Sequence, residues 1–238
     1  MSRIVTARLR LGMIGGTGTL GRGLARRWLR AGYAVTIGSR DLARAWACAD
    51  MLVDQLGQDR HDQDRLGQDH PGTIEVSGAD YAETAATSDI LVLTVPFAGQ
   101  AAVLDTIRPA MHGQLLIDTT VPLMPSSTTM VRLPEIGSAA VAAQERLGAA
   151  ARVVSAFHNV PAVRLEGGNL LDCDVLVFGD APADRETAIT LVEAAGMRGV
   201  HGGPLANSLA AEALTPVLIG INRHYSIGNA GLRITGLG

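Results

Sequence analysis

LRLGMIGGTGTLG, residues 9–21, is the stretch of the chain that decides the fold. Its apolar run up to Ile14 predicts a buried strand, and the glycines after it predict a tight turn. Leu24 and Trp28 then recur at helical spacing between arginines, as in an amphipathic helix. Gly32 closes that helix. The beginning of the chain is therefore expected to form a strand, a glycine-rich turn and a helix, in that order.

The same alternation of strand and helix continues along the chain. Asp41 is expected to cap a second helix, and further buried strands are predicted at residues 34–38, 73–77, 90–95, 114–118, 153–156 and 175–178. This pattern predicts an α/β fold with a Rossmann-type, doubly wound and largely parallel sheet. We assign residues 1–203 to this domain and 204–238 to a helical C-terminal segment that closes the cleft or mediates dimerisation. Pro216 is expected to kink or split its helix.

One polar segment interrupts the pattern. Residues 55–72 are rich in Asp and Gln and nearly repeat LGQD followed by Arg-His or His-Pro. We expect a mobile surface loop there and assign it no chemistry.

Composition excludes several classes of function. The net charge of −3 gives no basic surface for nucleic acid, and all 20 basic residues are arginine, which excludes lysine-dependent chemistry. Cys48 and Cys173 lie far apart without a Cys/His cluster, so we expect neither a metal site nor a disulfide. Neither a signal peptide nor an apolar run of membrane-spanning length is evident, so we expect a soluble, cytoplasmic protein.

The glycine-rich turn carries a dinucleotide-binding pattern. Gly16, Gly18 and Gly21 form GxGxxG after a strand and before a helix, which is the context that the motif requires. One glycine allows the tight turn, the next lets the backbone approach a pyrophosphate, and the third lets helix and strand pack closely. We expect the turn to bind the cofactor together with Thr17, Thr19 and Leu20. The alternative is a glycine turn that serves backbone geometry alone.

The end of the second predicted strand indicates which dinucleotide binds. A site for NAD usually has Asp or Glu here, whereas this chain has Ser39 and Arg40 after Gly38. Arg40 can form a bidentate contact with a 2′-phosphate and Ser39 can donate a hydroxyl, so NADP is favoured. Alternatively, Arg40 is a solvated surface residue. Asp41 is expected to be a helix cap rather than a ribose ligand.

Two similar turns end the next strands. Thr94, Val95 and Pro96 follow one strand, and residues 119–122 (Thr-Thr-Val-Pro) follow another. Both turns should line the cleft at the carboxyl edge of the sheet, the first beneath the cofactor. Each proline could equally serve only to end its strand.

His158 follows the strand predicted at residues 153–156, again at the carboxyl edge of the sheet. This position makes it a candidate catalytic residue. A lone histidine is more often structural, and that alternative stays open.

Four segments together resemble the NADPH-dependent reductases of the 8-hydroxy-5-deazaflavin coenzyme F-420. They are GGTGTLGRGLA, TIGSRD, SAFHNVPAVR and GGPLANSLAAEALTP, and the similarity runs over nearly the whole chain. The resemblance implies hydride transfer between NADP and the deazaflavin, whose rings stack in one hydrophobic cleft. It implies that NADP is bound by Thr17, Ser39 and Arg40. It further implies that the deazaflavin site includes Val121, Pro122, His158, Val160, Pro161, Arg164, Leu205 and Thr215.

Two positions depart from the family's pattern. Leu209 stands where the family commonly has arginine, and Ala213 stands where serine is frequent. Loss of a cationic donor matters for a coenzyme with an anionic tail, although Arg164 could compensate. Two alternatives therefore stay open: a reductase of another acceptor (flavin, quinone-like molecule or imine), or an NADP-binding redox sensor without turnover. We expect small redox coenzymes as partners, no nucleic acid, no membrane, and a homodimer.

Overall fold

The computed structural model describes residues 9–64, 73–123, 128–131, 135, 137–167 and 170–237. Within these residues one sheet of eight strands has the order β3-β2-β1-β4-β5-β6-β7-β8. The strands are β1 (Arg10–Ile14), β2 (Ala34–Gly38), β3 (Val76–Ala79), β4 (Ile90–Leu93), β5 (Gln114–Asp118), β6 (Ala151–Ser155), β7 (Asp174–Phe178) and β8 (Arg198–Gly203). All neighbours pair in parallel except β6 and β7. The predicted Rossmann-type, largely parallel sheet is confirmed.

Helices connect the strands and cover both faces of the sheet. They are α1 (Thr19–Arg30), α2 (Leu42–Asp64), α3 (Tyr81–Thr87), α4 (Phe97–Ile107), α5 (Ala139–Leu147), α6 (Pro182–Ala194) and α7 (Ser208–His224). One core packs α1, α2 and α6 against the sheet around Trp28, and the other packs α3, α4 and α5 around Leu104. Burial on two faces explains why the strands read as continuous apolar runs.

The strand order places a cleft beside the glycine-rich turn. β1 pairs with β2 on one side and with β4 on the other, so the direction of winding reverses between β1 and β4. In such sheets ligands bind outside the carboxyl ends of the strands at this reversal. Ile14 and Leu93 are paired at the ends of these two strands, so the turns that follow them both begin at that point.

The loop predicted at residues 55–72 is wrong in its first part, because α2 continues to Asp64. Leu52 and Leu56 are buried on the inner face of the helix. Asp59 receives two hydrogen bonds from Arg26 Nη2, at 3.0 and 2.7 Å, which fix the helix to α1. The polar composition of residues 55–64 therefore does not mark the end of the helix. Residues 65–72 lie outside the described part.

Strand boundaries follow the sequence closely where the apolar run is uninterrupted. β2 and β5 have the predicted bounds, whereas β3 begins at Val76, after the predicted start at residue 73. β8 was not predicted, because Gly202 and Gly203 read as a turn. At Gly202 the ring of Phe178 leaves no space for a Cβ, so glycine is needed within this strand.

The C-terminal segment contains a short 3₁₀ helix, Leu205–Asn207, followed by α7, which is continuous through Pro216. The helix is therefore not split at Pro216. The boundary at residue 203 coincides with the end of β8, and the division into two units stays a prediction. By length and composition the described stretch Leu205–His224 could cross a membrane, so the expected absence of a membrane segment also stays a prediction.

Candidate active site

The glycine-rich turn forms a tight bend that ends at the first residues of α1. Gly15 has a φ of +85°, a left-handed conformation that favours glycine. The amide of Gly18 donates to the Gly15 carbonyl at 3.1 Å. α1 begins at Thr19 with no side-chain cap from Gly18 and no acidic residue in its first turn. Its amino end can therefore accept a phosphate group.

The three motif glycines have the surroundings that their predicted roles require. A Cβ on Gly16 would lie 2.7 Å from the Met13 Cβ, so this position needs glycine for the turn. A Cβ on Gly18 would meet only the Gly15 carbonyl oxygen, at 3.5 Å, which leaves its outer side open for a ligand. A Cβ on Gly21 would lie 2.8 Å from Gly16 Cα, so the third glycine is needed for close packing. Of their neighbours, Thr17 is half-buried, Thr19 is exposed and Leu20 packs partly into the core.

A cavity of about 470 Å³ opens beside Ser39 and Arg40 at the end of β2. Ser39 is buried, and its Oγ accepts from the Asp41 amide at 3.2 Å. Arg40 is exposed at the rim, beside Tyr81. Burial raises the pKa of the Tyr81 phenol, and the Arg40 guanidinium opposes that shift. A fixed hydroxyl and a solvent-facing guanidinium at the mouth of a cavity suit a phosphate ester.

Asp41 has the capping role that the sequence predicts, since its Oδ1 accepts from the Arg44 amide at 3.2 Å. Val95, which the sequence predicted to line the cleft, forms part of the cavity wall. The rest of the wall was not predicted and comprises Asp80, Tyr81, Ala82, Gly99, Ala102, Val103 and Thr106. Most are small apolar residues on α3 and α4, whose meeting depends on helix packing rather than on a local motif.

The two strand-end turns are tied to the sheet and to each other. Thr94 Oγ1 donates to the Ile14 carbonyl at 3.1 Å, and Val95 lines the cavity. Pro96 is exposed and precedes α4 as its N-cap. At the next turn Thr119 Oγ1 donates to the Leu93 carbonyl at 2.8 Å. The two turns are therefore adjacent at the carboxyl edge of the sheet.

A buried carboxylate lies at the end of β5. Asp118 is fully buried and accepts at Oδ1 from the Thr120 amide at 2.8 Å and from the Thr120 hydroxyl at 2.5 Å. Gln100 Nε2 donates to Asp118 Oδ2 at 2.7 Å. Burial raises the pKa of Asp118 from 3.8 to about 7, although the hydrogen bonds from Thr120 and Gln100 oppose the shift. This group could not be predicted from the sequence, because its burial and its hydrogen bond with Gln100 depend on tertiary packing.

His158 lies at the carboxyl edge of the sheet, as predicted, and its ring is buried. Nε2 is 2.8 Å from Ser155 Oγ at the end of β6. Burial lowers the pKa of the imidazole from 6.5 to about 3, so the ring is neutral at physiological pH. The preceding Phe157 has a φ of +67°, an unfavourable conformation for a bulky residue. This strained backbone fixes the direction in which the chain leaves β6.

Helix α7 is joined to the turn that carries His158. Thr215 Oγ1 donates to the His158 carbonyl at 3.1 Å, and Asn159 Nδ2 donates to Thr215 Oγ1 at 3.1 Å. Asn159 also donates to the Ala211 carbonyl at 3.0 Å. The structure therefore brings two predicted site residues, His158 and Thr215, into contact.

A second cavity, of about 590 Å³, lies between α7, the ends of β7 and β8, and the segment that contains Val131. Both departures from the family pattern, Leu209 and Ala213, line it. The other lining residues are Val131, Leu176, Phe178, Gly202, Ala206, Asn207 and Ala210, none of which is charged. An uncharged, mainly apolar wall suits a planar ring better than an anionic chain.

The remaining predicted substrate residues do not line this second cavity. Leu205 is buried in the core, and Val160 packs against the core. Arg164 is exposed on the 3₁₀ helix Ala162–Arg164, where its carbonyl accepts from Arg27 Nη2 at 3.3 Å. Val121, Pro122 and Pro161 are half-buried after β5 and β6. No cluster of three potential metal ligands occurs in the described ranges.

Comparison with known proteins places the chain in a family. A family model described as NADP oxidoreductase, coenzyme F420-dependent, matches residues 10–122. The F420-dependent NADP reductase of Methanothermobacter thermautotrophicus is 37% identical over 96% of both chains. The enzyme of that name from Methanocaldococcus jannaschii is 31% identical over 96% of this chain and 99% of its own.

Solved structures share the fold. A protein of Arthrobacter sp. FB24 has a TM-score of 0.74 at 24% identity, with 95% of this chain and 99% of that chain covered. A reductive aminase from Aspergillus terreus, solved with NADPH, has a TM-score of 0.61 at 18% identity and covers 92% of this chain and 63% of its own. From the similarity to the curated reductases over almost its whole length, the chain belongs to the family of F420-dependent NADP reductases.

Proposed function

We propose that this protein transfers a hydride between NADP(H) and the deazaflavin ring of coenzyme F-420. The observation that carries the proposal is 31–37% identity to reductases of that name over 96% of the chain. The reaction consumes NADPH, oxidised deazaflavin and a proton, and yields NADP⁺ and the reduced deazaflavin. The two coenzymes supply the redox chemistry, so the protein needs to bind, orient and shield them.

The dinucleotide side of the proposal rests on the cleft between β1 and β4. The pyrophosphate would lie on the amino end of α1, against the open side of Gly18. The adenosine would occupy the cavity of about 470 Å³, with its 2′-phosphate at Ser39 and Arg40. Thr17, Thr19 and Leu20 complete the turn, and Val95 forms part of the cavity wall.

The acceptor side rests on the turns after β5 and β6 and on α7. The half-buried Val121, Pro122, Val160 and Pro161 would flank the acceptor ring. His158 is neutral at physiological pH, so it would contribute a neutral imidazole rather than a cation. We place the ring's outer part in the uncharged cavity lined by Leu209 and Ala213.

A reductase of another acceptor is the second candidate, and one observation favours it. The cavity that holds Leu209 and Ala213 has no charged residue among those that line it, whereas an anionic tail would gain from a cation there. Arg164 is exposed elsewhere and does not line that cavity. An acceptor without an anionic tail, such as a flavin, a quinone or a cyclic imine, would lose nothing from the absence of a cation in this wall.

We further propose that the protein is a cytoplasmic homodimer. Val217 and Ile221 lie one helical turn apart on the outer face of α7 and are 43% and 37% exposed. A second copy would cover these residues. Sedimentation of the wild type and of Val217→Arg tests this: the wild type should sediment as a dimer and the variant as a monomer.

The test of the proposed function is anaerobic mixing of NADPH with a panel of acceptors. The panel contains coenzyme F-420, the same deazaflavin without its anionic tail, a flavin, a quinone and a cyclic imine. The proposal expects NADPH oxidation with both deazaflavins. Turnover with the flavin, quinone or imine alone would support the second candidate, and NADPH binding without any turnover would support a redox sensor.

A further inference from the structure

The side-chain amide of Gln100 joins the segments that border the cleft on the acceptor side. Gln100 lies on the first turn of α4, which directly follows Thr94, Val95 and Pro96. It is 3% exposed, so its polar atoms need partners inside the protein. It is absent from the walls of both described cavities.

Three acceptors surround the amide nitrogen of Gln100. The two N–H groups of Nε2 are shared among Asp118 Oδ2 at 2.7 Å, Thr120 Oγ1 at 2.7 Å and the Ala139 carbonyl oxygen at 3.1 Å. Asp118 ends β5, Thr120 belongs to the turn that leads to Val121, and Ala139 begins α5. One donor group thus connects α4, the turn after β5 and the start of α5.

Hydrogen bonds fix the first two residues of the turn after β5, Thr119 and Thr120. Thr119 is bonded to the end of β4 through Leu93, and Thr120 is bonded to Asp118 through both its amide and its hydroxyl. Gln100 on α4 adds hydrogen bonds to Asp118 and Thr120. The position of Val121 and Pro122 relative to the turn after β4 therefore depends on the Gln100 amide.

The connection extends to the C-terminal helix. Glu212 on α7 is 1% exposed and accepts from the amides of Ala139 and Ala140 at 2.8 and 3.3 Å. Ser208 Oγ donates to Ser138 Oγ at 2.8 Å at the same end of α5. The start of α5 is consequently fixed by Gln100 on one side and by α7 on the other.

We infer that Gln100 is a positioning residue, which sets the turn after β5 against the turn after β4 and so fixes the relative placement of the two coenzymes. The inference rests on the proposed function, because both turns border its cleft. Hydride transfer depends steeply on the distance and orientation of the two rings, and a displacement of about 1 Å can slow a reaction on the order of 100-fold. Coenzyme affinity depends mainly on residues elsewhere, such as Arg40 and the glycine-rich turn.

The test compares Gln100→Met with Gln144→Met. Methionine has a similar volume to glutamine and cannot donate, so Gln100→Met removes the three bonds without opening a cavity. Gln144 is the matched control, because its amide bonds the Gly148 and Ala151 carbonyls and the Val153 amide. It joins α5 to the start of β6, at the opposite edge of the sheet. Single-turnover hydride transfer, the NADPH dissociation constant and Tm are measured for both variants.

We expect Gln100→Met to slow hydride transfer by about 10- to 100-fold while NADPH affinity stays within about twofold. Gln144→Met should lower Tm comparably and keep the wild-type rate. Wild-type transfer by Gln100→Met, or an equal loss of rate in both variants, would overturn the inference. If Gln100→Met does not fold, the test uses Asp118→Asn, which replaces one of the acceptor oxygens by a donor. This variant must also slow hydride transfer and leave NADPH affinity within about twofold of the wild type. Absence of transfer in the wild type would instead contradict the proposed function.

Discussion

Gly21 on α1 packs so closely against Thr94 that a Cβ added to the glycine would lie 2.7 Å from the Thr94 Oγ1. Gly18, three residues earlier, has only the Gly15 carbonyl oxygen nearby, at 3.5 Å. The two glycines of one motif therefore have different roles. Close packing in the fold requires glycine at position 21, whereas at position 18 the fold leaves space for a side chain.

Substitution of each glycine should separate stability from binding. Gly18→Val should keep the fold, because Gly18 has an ordinary extended φ of −76°, and should abolish NADPH binding. Gly21→Ala should lower the free energy of unfolding by about 1–3 kcal/mol through overpacking against Thr94. Circular dichroism melting and NADPH titration check both variants. Normal NADPH binding by folded Gly18→Val would mean that this glycine serves backbone geometry alone.

Arg40 should determine the preference for NADP(H) over NAD(H). Arg40→Ala should weaken NADP(H) binding by about tenfold or more and leave NAD(H) binding nearly unchanged, because only the former has the 2′-phosphate. Arg44→Ala is the matched control, since Arg44 is an exposed arginine on the first turn of α2, four residues after Arg40. Calorimetry of both coenzymes gives the four dissociation constants. Equal wild-type affinity for the two coenzymes would contradict the assignment of the 2′-phosphate to Arg40.

Asp118 should make stability depend on pH in the neutral range. Its pKa in the folded protein, about 7, lies above the ordinary value of 3.8, so folding favours the protonated form. Its contribution is therefore complete below about pH 4 and is lost as the pH rises through about 7. The wild-type Tm should fall between about pH 5 and 8, and less steeply in Asp118→Asn. Part of the slope should remain, because burial also raises the pKa of Glu212.

Asp174 is the control for this prediction, because its pKa is shifted in the opposite direction from that of Asp118. Its hydrogen bonds with Arg198 hold the pKa of this carboxyl below 3.8, so its contribution is present at neutral pH and is lost only in acid. Asp174→Asn should lower Tm and keep the wild-type slope between about pH 5 and 8. Identical slopes for the wild type and Asp118→Asn would show that Asp118 is already ionised in the folded protein throughout this range.

His158 should affect hydride transfer more than coenzyme binding. Ser155 engages Nε2, so a donor role toward the acceptor ring falls to Nδ1. His158→Ala and His158→Leu should slow single-turnover transfer roughly tenfold to a thousandfold, and His158→Asn, which keeps a donor, should lose less. Exposed His112→Ala should keep the wild-type rate. If His158→Leu matches His158→Asn, the ring acts by packing, and if all variants transfer normally, His158 is structural.

Leu209 should be the position at which affinity for the anionic tail can be regained. Leu209→Arg places a cation on the wall of the uncharged cavity and should lower KM for coenzyme F-420 by about threefold or more. KM for the same deazaflavin without its tail should not improve. Leu209→Met keeps the cavity apolar and should change neither value. Equal improvement for both acceptors would indicate a change of packing rather than recognition of the tail.

Sequence reasoning succeeded where a local pattern determines the structure. The run from Ala34 to Gly38 is rich in β-branched residues and ends at glycine, so its length could be predicted directly. It failed over residues 55–64, where α2 continues through a segment that has the composition of a loop. Leu56 was the signal that could have extended the helix, because it continues the apolar spacing of Leu52.

The site was predicted only in part for a similar reason. The glycine-rich turn and Arg40 belong to continuous motifs, whereas Gln100, Asp118 and Glu212 are brought together by contacts between distant segments. Leu205 belongs to a motif that suggests a ligand, and its side chain is buried in the core. A motif specifies the course of the backbone, and tertiary packing decides which side chains face the cleft.

Transfer of deuterium to the acceptor from NADPH that carries deuterium at both hydrogen positions of nicotinamide C4 is the most direct test of the central claim. The labelled NADPH is mixed anaerobically with the protein and coenzyme F-420, and the reduced deazaflavin is analysed by mass spectrometry. Direct hydride transfer predicts one deuterium at C5 of the deazaflavin for each NADPH oxidised. Reduced deazaflavin that carries only solvent hydrogen at C5, or no reduction at all while NADPH is bound, would contradict the account.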